Sequence, residues 1–180
     1  MRNPIFQKGF TLVELIVTIA VLCIVLSIAT VSFKDMLWRN QVNAAANDFV
    51  SALNFARSEA VTRGQVVTVC RSTNIISTDN PATPVPSCST AAGTGWETGY
   101  IVFVDGDADG LREVDDELLR VVAGPGGNVT IVGNATVDDN ISYAATGFLQ
   151  AGVGNGTVGV ANGSKTINVV LSNNGRVRTE

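Results

Sequence analysis

The sequence predicts an α+β protein in which one long N-terminal helix precedes a body built from antiparallel strands. Three observations carry that expectation. Residues 10–33 are mostly apolar with a single charged residue, an acid, residues 42–60 place apolar side chains at three- and four-residue spacing, and beyond Gly64 the period shortens to two. No proline interrupts residues 10–63, so the first two patterns belong to one helix.

Within residues 10–33, Glu14 is the single charged side chain, and 24 residues at ~1.5 Å each make a helix of roughly 36 Å. A hydrocarbon core of about 30 Å is shorter than that, so this half of the helix is expected to cross a membrane. An ordinary secretory signal has a shorter apolar core that ends at small residues, which this run does not match. Arg2 and Lys8 precede the run, which leaves the N-terminus cytoplasmic and the body outside. A carboxylate inside such a helix costs about 3 kcal/mol even on a lenient insertion scale, so Glu14 calls for a partner.

The helix then becomes amphipathic. Val42, Ala45, Ala46, Phe49, Leu53, Ala56 and Ala60 form one apolar stripe, with Asn43, Asn47, Asp48, Asn54 and Arg57 between them, and Gly64 stands where a C-terminal glycine closes a helix. That stripe is expected to pack on a sheet. Strands are expected over 65–71, 100–105, 117–122, 129–132 and 166–171, separated by turn-rich segments. Residues 72–95, rich in Ser, Thr and Pro, read as a long surface loop. The chain thus divides into a leader, 1–9, an apolar helix half, 10–33, an amphipathic half, 34–64, and a β-rich head, 65–180.

Cys23 lies in the apolar run, whereas Cys70 and Cys88 lie in the head and could close one disulfide across the loop in an oxidising compartment. Two buried thiols are the alternative. The chain has no His and no CxxC, which argues against a structural zinc site. It also lacks a nucleophile elbow and a phosphate-binding glycine loop, so neither cofactor nor catalysis is indicated.

The segment Lys8-Gly9-Phe10-Thr11-Leu12-Val13-Glu14-Leu15-Ile16 resembles the type III signal of type IV pilins and pseudopilins. The resemblance implies cleavage after Gly9 by a prepilin peptidase and methylation of the new amino terminus at Phe10. It also implies that Glu14 neutralises the N-terminal amine of a neighbouring subunit in a filament. Within the head, Gly95-Trp96-Glu97-Thr98-Gly99-Tyr100 with the following apolar strand, the acidic turn, Glu117-Leu118-Leu119-Arg120 and the helix ending Ala56-Arg57-Ser58-Glu59-Ala60 resemble the GspH/FimT family of minor pilins. The type IV pilin fold follows from that resemblance, as does a role in filament assembly or initiation. It further implies a single pass through the inner membrane, a periplasmic head, and the inner-membrane assembly platform and other major and minor pilins as partners. A minor pseudopilin of a type II secretion system shares the same leader, helix and head pattern and is the alternative.

Two further motifs carry specific chemistry. At the C-terminus Asn174-Gly175 favours a tight turn, so Arg176 and Arg178 ride the next strand on one face, about 7 Å apart. This Gly-Arg-x-Arg ending resembles the one through which some FimT-type pilins bind double-stranded DNA during natural transformation, which implies Arg176 and Arg178 as contacts with Lys165 nearby. Removal of residues 1–9 leaves ten basic and sixteen acidic residues, a net charge of −6. Such a body does not attract DNA in general, and binding would rest on a local, salt-sensitive patch. An exposed edge strand kept soluble by its charges explains the same arginines. Asp105, Asp107, Asp109, Gly110 and Asp116 follow a calcium-loop spacing except that Asp stands at the last position, and Arg112 adds a positive charge. A solvated Asp/Gly turn between two strands is the simpler account of those residues.

Overall fold

The structure, a computed structural model, describes residues 9–75, 85–91, 93, 95–150 and 155–180, with the side chains of 27–32 outside that description. Residues 1–37 and 38–180 form two units and are described separately. Residues 1–8 of the expected leader, 1–9, lie outside the described residues.

Helix α1, Leu12–Arg63, contributes to both units. In the first unit its apolar side chains are uncovered: Leu12, Val13, Leu15, Ile16, Val17, Ile19, Val21, Leu22, Ile24, Val25 and Leu26 are all exposed. A helix apolar on every side has no face that prefers water, and its side chains need lipid or other protein around them. Among the described residues no helix is long and apolar enough to cross a membrane, and residues 27–32 of the expected 10–33 span are not described at the side-chain level.

In the second unit the same helix is one-sided. Every residue of the expected stripe, from Val42 to Ala60, is buried to 3% exposure or less, together with Ala52. Five of the buried positions are alanines, Ala45, Ala46, Ala52, Ala56 and Ala60, so the backbone of the helix can approach the strands closely. The helix ends as its glycine predicts. Gly64 has φ +66° and its N–H bonds the carbonyl of Ala60 at 3.0 Å, an αL stop that costs a residue with a Cβ strain energy.

The strands are β1 Val67–Arg71, β2 Gly99–Val104, β3 Leu118–Ala123, β4 Thr130–Gly133, β5 Asn140–Tyr143, β6 Gly156–Asn162, β7 Lys165–Leu171 and β8 Val177–Thr179. They form two four-stranded antiparallel sheets rather than one, in the orders β3-β2-β1-β5 and β4-β6-β7-β8. The five expected strands are present within a few residues of their bounds, β8 is the short strand expected after the Asn174-Gly175 turn, and β5 and β6 are additional. A single 3-10 turn, Trp96–Thr98, leads into β2.

β1 and β2 are buried along their whole length, which requires cover on both faces. One face meets the α1 stripe through Val67, Val69, Tyr100 and Val102. The other carries Cys70, Ile101 and Phe103, packed with Cys88, Leu118 and Val121 in a second small core. The Cys70–Cys88 disulfide, with Cα atoms 5.5 Å apart, fastens the 72–95 loop over that face. The described part of the loop is therefore a lid on the sheet as well as a surface segment; residues 76–84 fall outside the described set. Arg71 adds a second fastening, since its guanidinium is almost fully buried, donates to the Ser89 carbonyl at 2.9 Å and pairs with Asp139.

Phe49 sits where helix and sheet meet, edge-on to Trp96 at 5.2 Å and to Tyr100 at 5.3 Å. Truncation of a buried aromatic costs about 3–5 kcal/mol, so Phe49→Ala is expected to lower the unfolding free energy by that amount in chemical denaturation. A Cys70→Ser/Cys88→Ser double variant is expected to lose about 3 kcal/mol, the loop-closure value for a crosslink of this span. Reducing agent should destabilise the parent to the same degree and leave the double variant unaffected.

Candidate functional site: the helix start and the C-terminal basic turn

Helix α1 begins with a capping arrangement that the sequence pattern Thr11-x-x-Glu14 announces. Thr11 precedes the first helical residue, and its Oγ1 accepts the Glu14 N–H at 3.3 Å. Glu14 lies in the first turn, where the helix dipole favours an anion. Gly9 is exposed with open space around its Cα, and Phe10 is 86% exposed. The three residues expected from sequence thus lie within six positions of each other at an uncovered helix start, with Thr11 as an unforeseen fourth.

The C-terminal turn is built from the other end of the same helix. Arg57 donates from Nε to the Gly147 carbonyl at 2.9 Å and from Nη2 to the Asn174 carbonyl at 3.1 Å, so it joins two turns. Gly175 packs against this junction at φ +75°, and a Cβ there would meet the Gly147 carbonyl oxygen at 2.0 Å. No other residue type fits. The turn closes through Gly175 N–H to the Ser172 carbonyl and Ser172 N–H to the Arg176 carbonyl.

Arg178 is in β8, opposite Val170, whereas Arg176 sits just before the strand. Val177 and Thr179 lie opposite the buried Leu171 and Val169, so the alternation sends both arginines to the opposite, solvent face. Both are exposed, and Arg178 pairs with Glu180 at 2.8 Å. Lys165 does not join them. It starts β7, five residues from Val170, or roughly 17 Å along the strand at ~3.3 Å per residue.

The acidic turn follows β2. Asp105, Asp107 and Asp109 each bring a carboxylate oxygen within 4.8 Å of the others. Asp116 is not part of that group; its carboxylate accepts from the Gly106 N–H at 3.3 Å and the Glu113 N–H at 2.9 Å, and so holds the loop backbone instead. Burial pushes the Asp105 carboxyl above the usual carboxylate range, against the opposing effect of bonds from Thr68 and the Gly110 N–H.

The family model of type II transport protein GspH matches residues 45–175. The chain belongs to this family. A prokaryotic N-terminal methylation motif matches residues 6–30. Two curated fimbrial proteins of Pseudomonas aeruginosa are each 39% identical over 61 residues, which is 34% of this chain and 39% of theirs. The chain therefore spans well under half the length of the curated relatives it matches. Among solved structures, the type IV minor pilin FimU of P. aeruginosa aligns over 79% of this chain and 90% of its own, with 20% identity and a TM-score of 0.58. A second crystal form of FimU gives 18% identity, 77% and 91% coverage, and a TM-score of 0.55.

The long N-terminal helix packed on antiparallel sheet has the type IV pilin fold that FimU shows. The Gly95-Trp96-Glu97 segment owes its character to the fold. Trp96 Nε1–H donates to the Val137 carbonyl at 3.1 Å, and Glu97 accepts from the Ile131 and Gly95 N–H groups.

Proposed function

We propose that this chain is a minor pilin that helps to initiate or build a type IV pilus, anchored in the inner membrane by residues 10–33 with its head in the periplasm. Prepilin peptidase cleaves after Gly9, Phe10 becomes the methylated N-terminus, and the inner-membrane assembly platform lifts the subunit into the growing filament. The observation that carries this reading is the apolar half of α1, which has one charge and whose large apolar side chains are exposed among the described residues. Helix-to-helix packing replaces lipid around that half during assembly. Glu14 then meets the N-terminal amine of a neighbouring Phe10, and the pair fixes the stagger between subunits. Glu14→Gln is expected to leave membrane insertion and cleavage at Gly9 intact, while the amount of subunit in sheared filaments falls about tenfold, the ratio for about 1.4 kcal/mol. Unchanged incorporation rejects the pairing. Scoring piliation and type II secretion in parallel after deletion of the gene separates the pilus from the alternative, a GspH-like minor pseudopilin.

A second reading, binding of double-stranded DNA for natural transformation, is supported by the exposed placement of Arg176 and Arg178 on one face of a turn that Arg57 and Gly175 hold rigid. The Glu180 pair and the acidic net charge oppose it. Lys165 is a separate basic point on the same sheet and not part of a two-arginine contact. If the reading holds, Arg176→Gln/Arg178→Gln in the full chain in detergent weakens duplex binding about tenfold. The slope of log affinity against log salt also falls by about 2, as expected for two lost phosphate contacts. Equal affinity for both proteins removes the proposal.

A further inference from the structure

The loop between β2 and β3, residues 105–116, holds six acidic side chains and one base, Arg112. Clustering alone means little, because exposed acids are at ease in water. Asp105 differs, being only 2% exposed. Its Oδ2 is satisfied, since Thr68 Oγ1 donates to it at 2.7 Å and the Gly110 N–H at 3.0 Å. Thr68 in turn lies 2.7 Å from the Ser142 hydroxyl on β5, so this oxygen is tied into the sheet. The other oxygen, Oδ1, is buried with no hydrogen-bond partner. An orphaned acceptor in a carboxylate is costly enough that a protein with a stable fold supplies something for it.

No described side chain hydrogen-bonds this oxygen, and Arg112 Nε is likewise buried without a partner. Arg112 spends its terminal nitrogens on carbonyls, Nη1 on Pro86 at 2.8 Å and Nη2 on Asp116 at 3.1 Å. Asp116 is committed to backbone N–H groups. Asp107 and Asp109 are exposed, make no ion pair among the described residues, and present carboxylate oxygens within 4.8 Å of that of Asp105. Three carboxylates at that separation repel one another unless a cation sits between them. The nearby Glu113 carboxyl is raised too, first by partial loss of hydration and then by Asp107, Asp109 and Asp116.

We propose that Asp105, Asp107 and Asp109 form a calcium site, with Asp105 Oδ1 as its buried ligand and the exposed pair closing it from the solvent side. Calcium binds oxygen at about 2.3–2.6 Å, so ligands on opposite sides of the ion stand up to about 5 Å apart, which matches the cluster. The ion also tolerates irregular geometry and completes its shell with water, whereas magnesium demands a shorter octahedral cage. Asp116, too short to chelate and bound to the backbone, leaves positions to water. The affinity expected is therefore that of extracellular modules, a Kd of about 10⁻⁴–10⁻³ M.

The test uses the full chain in detergent micelles after treatment with a chelator, with calcium added while thermal unfolding is followed. At about 5 mM calcium the midpoint is expected to rise by about 3–6 °C through binding to the folded state alone, with less than half that rise in equal magnesium. Asp107→Asn and Asp109→Asn each keep an oxygen to cap the turn and remove a charge. Both are expected to fold with a metal-free midpoint at or above that of the parent and to lose the calcium response. Asp105→Asn also disturbs the bonds to Thr68 and Gly110, so the two exposed variants carry the decision. A parent with no calcium response, or an equal response in both variants, overturns the site. An equal response to magnesium overturns its assignment to calcium.

Discussion

Trp96 is the contact on which the head depends. Its ring lies edge-on to Phe49 of α1 and 6.3 Å from Tyr100 of β2, and its indole N–H reaches the Val137 carbonyl in the turn between β4 and β5. The next residue, Glu97, accepts from the backbone of β4. One 3-10 turn therefore joins the helix, the β3-β2-β1-β5 sheet and the edge of the other sheet. Burying an indole without a partner for its N–H would forfeit much of what the ring contributes. The Val137 carbonyl removes that cost. The alanines of the helix stripe complete the arrangement, because larger side chains at Ala52 or Ala56 would hold α1 away from the rings. The head half of α1 is thereby committed to its own sheets.

The helix stripe was legible because period and residue type agreed over five turns. Seven expected positions are buried, and the one missed, Ala52, adds so little hydrophobic surface that alternation alone did not mark it. The strands were legible where Val, Ile and Leu alternate with polar residues. β6 was not, since Gly156-Thr157-Val158-Gly159-Val160 carries two glycines and reads locally as turn; its neighbours β4 and β7 supply the packing that makes it a strand. Division into two sheets was out of reach for a related reason. It rests on pairings such as Val67 with Tyr143, which no local pattern specifies. Among site residues, Gly9, Phe10 and Glu14 were marked by their motif, and Thr11 could have been found from the same Thr-x-x-Glu spacing. The separation of Lys165 from the arginines is a matter of strand register. The orphaned oxygen of Asp105 depends on Thr68, 37 positions away, and no spacing rule could have located it.

The cover over the outer face of β1 and β2 shows how a small body makes a doubly buried strand pair. The face opposite α1 offers Cys70, Ile101 and Phe103 with the partly buried Leu118 and Val121, a small apolar surface on which to hold a loop. A covalent link to Cys88 and the bonds from Arg71 to Ser89 and Asp139 make up the difference. Arg71 is 2% exposed while the Asp139 side chain is 44% exposed, so one member of the pair keeps much of its hydration. The desolvation cost of the pair is correspondingly smaller than for two buried charges.

Glu14 poses the remaining energetic question. Within its own helix the carboxylate gains from the Thr11-capped first turn and the dipole, an effect of about 0.3–1 kcal/mol at an exposed terminus. Placing it among apolar helices costs about 3 kcal/mol or more. The helix alone therefore does not offset the cost of a carboxylate in a bundle of its own kind. A cation from outside the helix changes the balance, because two opposite charges about 4 Å apart gain about 4 kcal/mol at an effective dielectric of 20. That gain exceeds the shortfall only when both charges are withdrawn from water at the same depth. A subunit one turn out of register would leave the acid unpaired in a greasy setting. Under the proposed pairing with a neighbour's amino terminus, the same residue that penalises the isolated helix in lipid would select one stagger among many that apolar packing alone would accept.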